Sequence, residues 1–93
     1  MSLKIFEIPL KISSPWHEYL PPDVRFLGAA HVLPDGPCLY VSGGECRSEQ
    51  WEIGLVGCGG TVPPGLEDCC VAQVQHAPHF RPWFVYAKKV EGQ

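Results

Sequence analysis

Apolar and polar residues alternate along most of this chain, and the alternation breaks where prolines and glycines cluster. Over residues 3–12, Phe6, Ile8, Leu10 and Ile12 share one face while Glu7, Pro9 and Lys11 lie on the other, which predicts a strand with one wet face. Pro9 has no N–H to give to a ladder, so one side of that strand must meet an edge, a bulge or solvent. Residues 13–23 predict a loop punctuated by Pro15, Pro21 and Pro22, with room for a single helical turn and with Trp16, Tyr19 and Leu20 tucked onto the body. In residues 24–33, Phe26, Gly28, Ala30 and Val32 alternate against Arg25, Leu27, Ala29 and His31. Pro34-Asp35-Gly36 then supplies turn chemistry, and residues 38–43 return, so 25–43 predicts a hairpin. Residues 51–57 place Trp51, Ile53 and Leu55 inward; residues 61–69 form a proline-rich loop in which Leu66 closes a short 3₁₀ turn. Two more strands follow, over 69–77 and 81–90, and Pro82 marks a strand start or an edge.

Six strands separated by turn signals, with no segment of 3.6-residue period, predict one all-β domain over residues 1–93, an antiparallel meander with little helix. Pro9 and Pro82 sit in the two terminal strands, which suits either the protected edges of a sheet or the closing strands of a small barrel.

Composition narrows the function classes. Apolar residues make up 45% of the chain and charged residues 18%, an ordinary globular balance, although ten prolines and ten glycines are far more than average. The net charge of −3 and the lack of any Lys/Arg run disfavour nucleic-acid and anionic-membrane partners. No apolar run approaches the roughly 18 residues of a membrane span. Glu7 interrupts the apolar start and no A-x-A-like site follows it, so the expected address is the cytoplasm. There Cys38, Cys46, Cys58, Cys69 and Cys70, an odd set, would be thiols.

Glycine-rich GLVGCGGT at residues 54–61 invites a phosphate-binding reading. It lacks the lysine of a P-loop, and Pro63-Pro64 forbid the helix that a dinucleotide fingerprint requires. Gly57, Gly59, Gly60 and Pro63 therefore read as a structural turn, and no cofactor is expected.

Zinc chemistry has candidates in Cys70, His76 and His79, with Cys69 adjacent, because thiolates and imidazoles are its usual ligands. Cys70 and His76, however, stand about 20 Å apart along an extended strand. Cys58 as a nucleophile would need one of His17, His31, His76 or His79 as its base, and nothing local ties such a pair together, so no enzyme is expected. Phe80, Trp83, Phe84 and Tyr86 cluster around Arg81. Core packing is the first reading of these rings and a subunit interface the second, with single-stranded nucleic acid third. The binding-surface candidates are Trp16, Tyr19, Phe80, Trp83 and Tyr86.

K-I-F-E-I-P-L at residues 4–10, Leu20-Pro21, R-F-L at 25–27, C-L-Y-V at 38–41 and L-V-G-C-G-G-T-V-P at 55–63 together resemble a family of short uncharacterised phage and bacterial proteins. Those proteins show E-x-P near the start and V-G-T-G-x-x-[IV]-P later, and Cys58 stands where they tend to have threonine. The resemblance implies a phage or mobile-element origin and a bacterial cytoplasmic setting, with no activity to transfer. Three functions compete on this basis. The first is a homo-oligomeric protein–protein interaction module, which could also engage a host protein. The second is a small-ligand-binding β-domain with a pocket lined by Trp51, Trp83 and the histidines. The third is a metal-binding protein.

Overall fold

The alternating segments become seven strands in the computed structural model, which describes residues 3–11, 15–32, 36–76 and 81–90. In chain order they are β1 (Lys4–Pro9), β2 (Trp16–Leu20), β3 (Arg25–Val32), β4 (Gly36–Gly43), β5 (Glu49–Gly57), β6 (Cys70–His76) and β7 (Arg81–Lys89). All ladders are antiparallel, and no helix occurs among the described residues. The all-β reading holds. The chain does not run as one meander, because β1-β4-β3 form one sheet and β2-β5-β7-β6 the other, so the chain passes between sheets.

One apolar core lies between the two sheets. Ile8, Leu39 and Val41 of the first meet Leu20, Ile53, Leu55, Val74, Val85 and Ala87 of the second. Removing each of the larger aliphatic side chains from water contributes roughly 1.5–3 kcal/mol. Phe6, Trp16, Phe26, Trp51 and Trp83 pack around this cluster. The Phe26 and Trp51 rings meet edge to face, with centroids 5.3 Å apart.

Two local readings change. Residues 16–20, predicted as loop, form β2: Trp16 and Leu20 point inward, and Glu18 shares their face. A carboxylate at an inward position hid the alternation, and it is accommodated because Trp16 Nε1–H donates to Glu18 Oε1 at 3.2 Å. In β3 the register shifts between Phe26 and Gly28, so Phe26 and Ala29 both pack on the core and strict alternation fails.

The sheets do not close into a barrel. β3 runs alongside β6 with Cα atoms within 8 Å, yet no ladder joins them among the described residues. At the opposite side β1 and β2 are both edge strands. Arg47 spans that seam: its Nε–H donates to Tyr19 O at 2.8 Å, a terminal nitrogen lies 3.9 Å from Glu18, and its guanidinium sits 5.5 Å from the centre of the Phe6 ring. One arginine thus touches β1 and β2 and covers part of the β2 edge.

Candidate functional site

Register decides which polar side chains meet on the outer face of the four-stranded sheet. His17 of β2 stands opposite Glu52 of β5, and Glu52 opposite Lys88 of β7. Their chain neighbours Trp16, Ile53 and Ala87 face the core, so these three face outward. Side chains directly opposite on antiparallel strands have Cβ atoms about 4.5–5.5 Å apart, which makes an imidazole, a carboxylate and an ammonium one continuous row.

A cleft of about 290 Å³ opens on this row, bounded by His17, Glu52, Lys88, Lys89, Val90 and Gly65. Gln50 Nε2 lies 3.3 Å from His17 Nδ1. The amide NH₂ donates to Nδ1 in the neutral tautomer that carries its proton on Nε2. Lys89 pairs with Glu49 at 3.4 Å. The other ion pairs among the described residues join Lys4 to Glu45 and Arg47 to Glu18, leaving Glu52 and Lys88 with neither an ion pair nor a side-chain hydrogen bond.

The glycine-rich connection supplies the cleft's far wall. Gly60 N–H donates to Gly57 O at 2.9 Å with Gly59 at φ 91°, and Leu66 N–H donates to Pro63 O at 3.1 Å with Gly65 at φ 90°. Positive φ at the third position is what a type II turn requires, and Pro64-Gly65 is its preferred central pair. A third turn follows, in which Cys69 N–H donates to Leu66 O at 3.0 Å. Leu66 is fully buried, yet outside the central cluster. A Cβ on Gly60 would come 3.0 Å from Val56 Cγ1, so the connection folds back over the outer face of β5.

These N–H groups are spent within the turns, and Gly65 N–H is bound by the Glu67 carboxylate at 2.9 Å. An anion would meet a negative charge there rather than a cradle of open donors.

Other sequence candidates disperse. Trp16, Trp51 and Trp83 lean on the core, so neither Trp51 nor Trp83 lines the cleft, and among the described residues His17 is the histidine that does. Trp83 comes close to Gly57, where a Cβ would lie 3.5 Å from the indole. Tyr19 is 55% exposed, and Tyr86 is half-buried on the outward face of β7. Cys70 opens β6, exposed, with its Sγ 3.8 Å from Ala72 O, while His76 ends the same strand. Among the described residues no three His, Cys, Asp or Glu side chains come together. His79 and Phe80 lie outside the described residues. Spacing gave no hint of the His17–Glu52–Lys88 row, because only strand pairing brings these distant positions abreast.

No protein-family model matches this chain, and neither the curated proteins nor the solved structures contain a match to it.

Proposed function

We propose that this protein is a self-associating interaction module that pairs through the free edge of β1. The observation that carries the reading is that among the described residues β1 is an edge strand, exposing Leu3 (64%) and Ile5 (70%) beside it and on it. Unpaired strand edges are templates for a further strand, and soluble monomers usually blunt them. The other edges have neighbours: β3 and β6 lie alongside each other, and Arg47 binds a carbonyl of β2. Pro9 has no N–H, so pairing would use the part of β1 before it. Antiparallel pairing of two β1 strands about a two-fold axis would fuse two three-stranded sheets into one of six strands.

Sedimentation velocity of the purified, reduced protein tests this. A dimer is expected for the native chain and a monomer for Ile5→Lys, with unchanged far-UV circular dichroism in both, because Ile5 is exposed. A native chain that stays monomeric throughout the accessible concentration range overturns the reading.

A further inference from the structure

We propose that the cleft over His17, Glu52 and Lys88 binds a small zwitterion, a molecule of amino-acid size carrying one ammonium and one carboxylate. This site lies on the outer face of the four-stranded sheet and is independent of the β1 edge.

The argument starts from charge placement. Glu52 occupies the middle of the row, half-buried, with Lys88 on one side and the His17 ring on the other. Carboxylate and ammonium stand on adjacent strands, yet do not close into an ion pair, so each keeps its hydrogen-bonding capacity for a third party. A ligand ammonium would donate to Glu52, and the ligand carboxylate would accept from Lys88 Nζ and from His17 Nε2–H in the tautomer whose Nδ1 accepts from Gln50. Lys89 is neutralised by Glu49. Among the described residues lining the cleft, Glu52 and Lys88 are the charged groups outside an ion pair, and the Glu67 carboxylate bound at Gly65 adds a negative charge nearby, a pattern that favours a ligand carrying both charges over a simple anion.

Shape agrees with charge. A volume of about 290 Å³ lies at the lower end of the range for small-molecule sites, which suits a single amino acid. Gly65 leaves the wall open, because a Cβ at that position would meet nothing within 4 Å. Among the described lining residues Val90 offers the one apolar side chain, enough to rest a short aliphatic group and too little to hold a large one.

The test is an amide chemical-shift titration of the full-length, ¹⁵N-labelled protein with L-alanine, and with acetate and methylamine as one-charge controls. Alanine is expected to shift the amides of His17, Glu52, Gly65 and Lys88 saturably, with each control binding at least about tenfold more weakly, the cost of one lost charge-assisted hydrogen bond. Glu52→Gln should abolish the advantage of alanine over acetate while leaving the remaining amide pattern native. The proposal is overturned if alanine produces no saturable shift, if acetate matches alanine on the native chain, or if Glu52→Gln leaves alanine affinity unchanged.

Discussion

Replacing Gly43 with alanine tests the join between the two sheets. Gly43 ends β4, and a Cβ there would lie 2.8 Å from both Cβ and Cγ of Pro21 and 3.2 Å from Asp23 Oδ1. Pro21 is fully buried and its ring cannot rotate away, so the backbone itself must shift. Overpacking of this kind costs typically 1–3 kcal/mol. The same shift strains the bond that Gly44 N–H donates to Asp23 Oδ1 at 3.0 Å. A loss of about 2 kcal/mol corresponds to a fall in Tm of roughly 8–16 °C for a domain of this size. Gly44→Ala is the matched control, since its Cβ would lie 3.8 and 3.9 Å from the Asp23 oxygens, ordinary contact. Thermal unfolding followed by circular dichroism reads both variants. Gly43→Ala within about 2 °C of the native Tm, or Gly44→Ala equally damaging, would refute the reasoning. Removing both clashing atoms in Gly43→Ala/Pro21→Gly should recover part of the loss relative to the two single changes, a coupling expected only for groups in contact.

Two further outcomes follow from other parts of the molecule. Tyr40 O–H donates to Glu7 Oε2 at 2.8 Å, and this bond, followed by burial and the Glu7 charge, raises the phenol above its ordinary 10.0. The folded state therefore holds this proton longer than the unfolded chain, so the contribution is intact below pH 10 and is lost as pH rises through the folded value. Ultraviolet absorbance titration should show one tyrosine ionising late, and Glu7→Gln should bring it down. Leu66→Ala, which empties a fully buried site, should cost about 3 kcal/mol in urea unfolding and release the glycine-rich connection, seen as faster amide exchange over residues 60–69. A change under about 1 kcal/mol would mean that Leu66 does not anchor that segment.

Local chemistry carried much of the fold. Period-two alternation identified β1 and β5, and it placed Phe6, Ile8, Leu10, Ile53 and Leu55 on the inner face where they are found, while β6 and β7 were legible as strands without assigned faces. The Pro-Asp-Gly turn signal gave the β3–β4 hairpin. Pro64-Gly65 and Gly59 carry their own conformational preferences, so the glycine stretch was legible as turns and not as a phosphate cradle. Where a single residue contradicted its surroundings, the reading failed. Pro15, Pro21 and Pro22 around a short segment with Glu18 at an inward position concealed β2, and the bulge at Leu27 reversed the expected faces of the second half of β3.

The sequence by itself determined the class of structure, because strand period, proline exclusions and positive-φ glycines act over a few neighbouring residues and need no distant partner. Tertiary structure alone decided which strands pair, where the sheets stay open, and which side chains share a surface. Trp51 and Trp83 were available for a pocket by residue type, but sheet stacking turned them to the core. His17, Glu52 and Lys88 have no common motif, and they meet only because β5 lies between β2 and β7 in one register. A shift of one residue in either ladder would send members of that row to opposite faces, since successive side chains of a strand alternate sides. That choice of register belongs to the shared core, which buries Leu20, Ile53 and Ala87 together and so fixes all three strands at once.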